Sequence, residues 1–427
     1  MLVLEILIIL LILLLLLGTK VLSRQWCNPA NIMALYWSSN ILFAFFVLDS
    51  YQWQFTGVLW IIIVCTCFML SLAVSEQVMK KKINRKKIHV DLKMNHNSSN
   101  LMFFLWVCLL VGLIRVGLDI AANGLSIQMF FNLGMLTEIN NSMAYERYSG
   151  NVSYGTAMQI MLGIMYGGAL IGGYFFVDAL KISERILCIS IIIPFFFILL
   201  IHNTKLVFMA VVMLWLSGYL TRFLEKYKRA PIIKAGAVCK FILLSISFLS
   251  LLYMSMVLRI GAIDTDTLTK VNAKILSYVI AHMPAFDYWF ANDAGNTDYT
   301  YGKYTFYAIF QTLGISIREQ GVFTDFVSTS EFSTNIFTVF RGIIIDFGVF
   351  GGIVFFILLG FVVGYAYQCI LHKDRNVFAS IVLANTYFFI GLSFTVSSWT
   401  YSSFLFAFLL FGLCLWSNTH KVKIKLN

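Results

Sequence analysis

The chain has 427 residues, of which 60% are hydrophobic and only 12% are charged, and its formal net charge at pH 7 is +11. A water-soluble protein cannot bury that much apolar side-chain surface, so the composition excludes an ordinary soluble domain and indicates a lipid environment. The apolar runs are continuous rather than alternating, which favours membrane-spanning helices over a transmembrane β-barrel.

The apolar runs predict about eleven membrane-spanning helices, so we expect an all-α, polytopic integral membrane protein that forms a single membrane domain over residues 1–427. The first run lacks the basic residues and the small-residue cleavage site of a signal peptide, and we therefore expect it to be a span. The predicted spans are Leu2–Leu17, Ile32–Leu48, Gly57–Val74, Leu101–Ile120, Thr156–Phe176, Ile186–Ile201, Leu206–Leu220, Ala235–Val257, Phe347–Tyr367, Val377–Val396 and Phe404–Trp416.

Basic residues concentrate in alternate loops of this layout. The positive-inside rule places the basic loops in the cytoplasm, so the N-terminus is expected outside and the C-terminus inside. The cluster Lys80–Lys87 is then expected to contact anionic membrane lipid rather than nucleic acid. The basic loops contain Lys20 and Arg24, Lys80–Lys93, Lys181 and Arg185, Arg222–Lys234, Lys373 and Arg375, and Lys421–Lys425.

Two of the external segments are long and polar. Residues 258–346 form a large loop between the predicted eighth and ninth spans, and residues 121–155 form a second one between the fourth and fifth. The larger segment contains apolar stretches that we expect to form short helices on the membrane surface or over a cavity. Its aromatic residues fit either stacking on sugar rings or an interfacial belt.

Isolated cations in or beside base-poor outer segments predict an anion-binding site. A guanidinium group donates paired hydrogen bonds to phosphate, which suits a phosphorylated lipid at the membrane boundary. Arg115 lies within a predicted span, where it either faces a polar cavity or pairs with Asp119 one turn later. The predicted anion-binding residues are Arg115, Arg147, Lys205, Arg259 and Arg341.

Proton abstraction from a substrate hydroxyl needs a carboxylate or an imidazole as general base. Asp346 has the alternative role of capping the helix that follows it. The pair Asp264 and Asp266 is too short a motif to identify a metal site, and the scattered cysteines form no metal-ligand pattern, so no metal is predicted. The candidate bases are Glu146, His282, Asp287, Asp293, Asp298 and Asp346.

Several short motifs, together with the many-helix layout and the large late external loop, carry a resemblance to a known family. They are the run from Asn335 through Thr338, Arg341 and Asp346-Phe-Gly348 to Gly351, the segment Gly302–Phe306, and the turn and helix His202–Gly218. These features resemble the O-antigen (Wzy-type) polymerases, the oligosaccharide repeat-unit polymerases of bacterial surface polysaccharide. Such polymerases often have arginine in the short turn where this chain has Lys205.

The resemblance implies a glycosyltransferase at the periplasmic face of the bacterial inner membrane. It would transfer a growing glycan from undecaprenyl pyrophosphate onto a new undecaprenyl-pyrophosphate-linked repeat unit, with no cofactor and with a chain-length regulator as protein partner. The expected catalytic residues are Arg341, Asp346, Asp287 and Glu146. The alternatives are an O-antigen ligase, which differs in its acceptor, and a flippase of the lipid-linked unit, for which internal repeats and charges buried in several spans would be typical.

Overall fold

A computed structural model of the chain is all-α, with about 80% of the residues that it describes in helices. It describes residues 2–22, 25, 27–48, 51–84, 98–126, 128–129, 132–148, 155–231, 235–260, 265–315, 323, 325–328, 332–372 and 376–419. The cytoplasmic cluster predicted at Lys80–Lys87 lies largely outside these residues.

The helices follow the predicted apolar runs, with short helices in the polar segments. In chain order they are α1 (Leu2–Leu22), α2 (Pro29–Val47), α3 (Thr56–Asn84), α4 (Ser98–Ala122), α5 (Leu133–Tyr148), α6 (Thr156–Phe176), α7 (Ile182–Ser190), α8 (Ile193–His202), α9 (Lys205–Tyr227), α10 (Ala235–Ile260), α11 (Thr265–Val279), α12 (His282–Asn292), α13 (Tyr307–Thr312), α14 (Val339–His372), α15 (Val377–Leu392) and α16 (Ser402–Thr419). A short 3-10 helix at Ala294–Asn296 and an antiparallel pair, β1 (Val327–Ser328) and β2 (Ser333–Thr334), complete the described elements.

Among the described residues, eight helical segments are long and apolar enough to cross a membrane. They confirm a multi-pass helical membrane protein. The shorter apolar helices α15 and α16 coincide with the last two predicted spans, and α10 coincides with the predicted eighth. The eight segments are Val3–Leu22, Pro29–Val47, Thr56–Met79, Asn100–Ala122, Thr156–Phe176, Ile182–His202, Lys205–Tyr227 and Val339–His372.

The chain folds into two compact units. Unit 1 comprises Met1–Met94, Leu220–Ile232 and Leu276–Ser402, and unit 2 comprises Asn95–Tyr219, Ile233–Ile275 and Ser403–Asn427. In unit 2, glycine allows close helix contact in lipid, because a Cβ atom on Gly173 would lie 1.8 Å from the carbonyl oxygen of Trp215.

In unit 1, α3 and α14 pack against each other in parallel. A Cβ atom on Gly360 would lie 2.5 Å from the carbonyl oxygen of Phe68, so glycine is what permits the close approach. The contacts advance together along both helices, since the glycines of α14 at positions 352, 360 and 364 meet Trp60, Phe68 and Leu72 of α3 in that order. Helices that run in the same direction through a membrane begin on the same side of it.

The helix α14 is broken at Gly348, whose backbone is left-handed with φ of 76°. A Cβ atom there would also lie 2.9 Å from the Tyr299 ring, so glycine is required for both reasons. The segment before the break begins at Val339, and it places Arg341 and Asp346 on a helix. The predicted loop 258–346 therefore differs from the structure at both ends, because α10 also continues to Ile260.

Candidate anion-binding sites

Arg341 lies in the first turn of α14, with 6% of its surface exposed. Three aromatic rings surround the guanidinium: its central carbon is 3.9 Å from the ring centre of Phe337, 4.3 Å from that of Phe323 and 5.0 Å from that of Trp289. We call these rings the aromatic cage. Ring faces attract the cation and exclude water, so the guanidinium is held as a desolvated charge.

A small opening borders the aromatic cage. It contains about 240 Å³ of space between atoms, part of it open solvent. Three of its lining residues, Thr338, Val339 and Gly342, flank Arg341 in sequence, and the others are Tyr304, Thr305, Phe323, Thr395, Val396, Ser397 and Thr400. Most of the polar groups on its wall are hydroxyls, which donate hydrogen bonds to anions as readily as to sugars.

Asp346 ties the polar segment 300–305 to α14. One carboxylate oxygen accepts hydrogen bonds from the Thr300 hydroxyl and from the backbone N–H of Tyr304 at 3.0 Å, and the other accepts from the backbone N–H of Thr305 at 2.6 Å. The structure therefore does not use Asp346 to cap its own helix, which begins seven residues earlier. Its catalytic role stays a prediction. Its hydrogen bonds fix Tyr304 and Thr305, which line the opening.

Asp287 likewise holds the start of α3 in place through hydrogen bonds to backbone N–H groups. Its two carboxylate oxygens accept from the backbone N–H groups of Gln54, Phe55, Gly57 and Val58 at 2.8–3.3 Å, which satisfies donors that a first helical turn leaves unpaired. The bonds also hold Phe55 in a left-handed conformation with φ of 66°. Burial raises the pKa of the Asp287 carboxyl, and these four donors oppose that rise.

His282, at the start of α12, is buried between the rings of Trp37 and Phe394. Neither ring nitrogen has a hydrogen-bond partner among the described residues. Burial lowers the pKa of His282 to about 3, because the charged imidazolium would lose its hydration. The imidazole is therefore neutral near pH 7.

The depressed pKa of His282 predicts a loss of stability in acid. Between pH 6.5 and 3 the unfolded chain binds a proton at this position and the folded chain does not, so the free energy of unfolding falls as the pH falls. We expect His282 to contribute about 2 kcal/mol of loss between pH 7.5 and 5. Denaturation of the detergent-solubilised wild type and of His282→Phe at both pH values measures this loss in the free energy of unfolding. Asp287, whose raised pKa makes the folded protein more stable in acid, is present in both proteins and so cancels in the comparison. An equal loss of stability in acid for the two proteins would contradict the prediction.

A second cluster of charges is buried in unit 2. Arg115 Nε and His202 Nε2 each lie 3.2 Å from the same carboxylate oxygen of Asp119, and all three residues are at most 5% exposed. The Arg115–Asp119 pair agrees with the self-neutralising alternative. It does not remove Arg115 as an anion ligand, because His202 adds a further nitrogen to the cluster.

The turn after α8 connects this cluster to Lys205. Asn203 is buried and left-handed, with φ of 54°. Its amide nitrogen donates to the side-chain oxygen of Asn140 and to the carbonyl of Ser255, both at 2.7 Å, and its oxygen accepts from Lys205 Nζ at 2.6 Å. The turn from His202 to Lys205 thus connects the two predicted ligands. At one end His202 shares Asp119 with Arg115, and at the other end Lys205 donates to Asn203.

The other predicted site residues are placed only by their backbone. Glu146 and Arg147 lie in the last turn of α5, and Arg259 lies in the last turn of α10. The side chains of these three residues, and Asp264 as a whole, lie outside the described residues. Asp293 and Asp298 are exposed near the end of α12.

Sequence reasoning missed several residues that complete these sites. Phe323 and Asp325 meet Arg341 through folding, and no spacing in the sequence signals those contacts, whereas Phe337 lies in the same short run as Arg341. His202 and Asn203 lie inside a motif that was quoted for the resemblance, yet they received no role. The polar run His-Asn-Thr-Lys at 202–205, between two apolar helices, is the signal that points to them.

Among the described residues, the fold and the sites define a polytopic helical membrane protein with a buried arginine in an aromatic cage in unit 1 and a buried cluster of charged side chains in unit 2. Comparison of the chain with protein-family models, with curated proteins and with solved structures gave no match.

Proposed function

We propose that the protein is a membrane glycosyltransferase that polymerises oligosaccharide repeat units linked to undecaprenyl pyrophosphate. The observation that carries the proposal is Arg341, a desolvated guanidinium beside an opening walled by hydroxyls. A preorganised cation in a low-dielectric site stabilises the charge that develops on a departing diphosphate. Diphosphate is itself a good leaving group, so the reaction needs neither nucleotide nor metal.

The parallel packing of α3 and α14 supports the proposed topology. Two spans that run in the same direction are separated by an odd number of crossings. Among the described residues, four candidate spans lie between them, so α10 is needed as a fifth, in agreement with the predicted count of eleven. With the basic loops in the cytoplasm, α3 and α14 both begin on the external side, and Arg341 lies there.

The cluster in unit 2 supports a reaction with two diphosphate substrates. Arg115 and His202 share the carboxylate of Asp119, and Lys205 lies in the same short turn as His202, so this unit offers several cationic or hydrogen-bonding nitrogens. In the proposal, the donor and the acceptor are both lipid-linked, so each brings a diphosphate to the membrane surface. The site would lie in the bacterial inner membrane, with a chain-length regulator as the expected partner.

A flippase of the lipid-linked unit is the second candidate, because the structure buries more charge in spans than the sequence indicated. Glu76, Arg222 and Glu225 are all at most 8% exposed. These residues lie near span ends, however, and Arg222 is paired with Glu225 at 3.0 Å. A ligase shares the proposed layout and differs only in its acceptor, so the experiment must separate all three.

Deletion of the gene followed by gel analysis of surface lipopolysaccharide tests the proposal. A polymerase deletion collapses the ladder to the core plus a single repeat unit. Loss of every repeat unit would contradict polymerase activity, and the presence of lipid-linked polymer in the periplasm would then distinguish a ligase from a flippase.

A further inference from the structure

We propose that in the free protein the carboxylate of Asp325 occupies the place beside Arg341 where a substrate anion binds. The diphosphate of the substrate then displaces this carboxylate. This inference rests on the proposed function, because it concerns the same site. It makes Asp325 a built-in competitor that sets how strongly an anion must bind before it gains access to the guanidinium.

The contact between the two side chains is close but unequal in burial. Arg341 Nη2 donates to an Asp325 carboxylate oxygen at 2.7 Å, while the Arg341 side chain is 8% exposed and that of Asp325 is 56% exposed. Asp325 regains its hydration when it leaves, at little cost. The Arg341 guanidinium cannot become hydrated when Asp325 leaves, because the aromatic cage excludes water. It therefore needs another anion in place of Asp325.

The buried hydrogen-bond donors at and near Arg341 indicate which kind of anion fits the site. Arg341 Nε and Nη1 and the hydroxyls of Thr305 and Thr338 are buried without hydrogen-bond partners among the described residues. Asp325 reaches one of the guanidinium nitrogens and leaves these groups unsatisfied, which is costly. A diphosphate has enough oxygens to accept from several of them at once, whereas a single carboxylate does not.

The charges around Arg341 agree with competition. Besides Asp325, the exposed carboxylate of Asp293 acts electrostatically on the guanidinium. An incoming anion therefore meets a site that is already neutralised. An internal competitor lowers the apparent affinity of every anion by the same factor, so only multiply charged, multidentate ligands bind at low concentration.

Binding of inorganic pyrophosphate and of inorganic phosphate to the full-length protein in nanodiscs, measured by calorimetry, tests the inference. We expect Asp325→Asn to tighten the binding of both anions by the same factor, about three- to tenfold. Asp298→Asn removes an equal charge from another exposed acid of unit 1 and is expected to bind both anions as wild type does. A melting curve for each variant checks that the fold is retained.

A double variant makes the result specific to Arg341. In an Arg341→Ala background, Asp325→Asn is expected to have no effect, because nothing is left to compete for. Unchanged or weaker binding in Asp325→Asn, with Arg341→Ala still defective, would overturn the inference and leave the proposed function standing. Wild-type pyrophosphate binding in Arg341→Ala would instead refute the phosphate site on which both depend.

Discussion

Replacement of Arg341 by alanine is expected to abolish polymer formation, with at least about a hundredfold loss of activity at unchanged protein level. The guanidinium is desolvated, and truncation of a buried, hydrogen-bonded charge typically costs 2–5 kcal/mol of binding. The loss should appear as accumulation of single repeat units on surface lipopolysaccharide, or as lost turnover of a purified lipid-linked substrate.

Two further variants separate phosphate binding from general effects. Arg341→Lys keeps the charge but loses the planar fork, so we expect about a tenfold loss. Arg229→Ala removes an exposed cation from the same unit, away from the opening, and should leave activity unchanged. Full activity in Arg341→Ala would refute the assignment of Arg341 to the substrate.

Replacement of Asp287 by alanine is expected to lower the free energy of unfolding by about 3–5 kcal/mol, because it orphans the buried backbone N–H groups of Phe55, Gly57 and Val58. Those donors begin α3, so its first turn and the strained Phe55 lose their anchor. Thermal unfolding of the detergent-solubilised protein measures the change. Asp298→Ala, at an exposed carboxylate, is the matched control and should melt as the wild type does.

A more conservative variant, Asp287→Asn, decides between two roles for Asp287. The sequence predicted a catalytic carboxylate, whereas its oxygens are engaged by four backbone donors. Asp287→Asn keeps one acceptor oxygen, so part of the folded population should survive at low temperature. Wild-type activity per folded molecule in that variant indicates a structural role, and loss of turnover in fully folded protein would support catalysis.

Local information was sufficient for much of the architecture. Continuous apolar runs predicted the helices, because each run must satisfy its own backbone hydrogen bonds in lipid. The scarcity of basic residues in the outer segments led to Arg341 as a predicted anion ligand, and that role stays a prediction. The roles of the acids were less predictable, since Asp287 binds residues 54–58 across more than two hundred positions of the chain.

The sequence by itself determined the all-α membrane class, the positions of most spans and the cations worth testing, because hydrophobicity and charge act locally along the chain. Only the tertiary structure decided which partners those cations have. Arg341 meets Phe323 and Asp325, and Asp119 meets both Arg115 and His202, through contacts that the fold creates. Burial and pairing depend on such contacts, and no spacing along the chain encodes them.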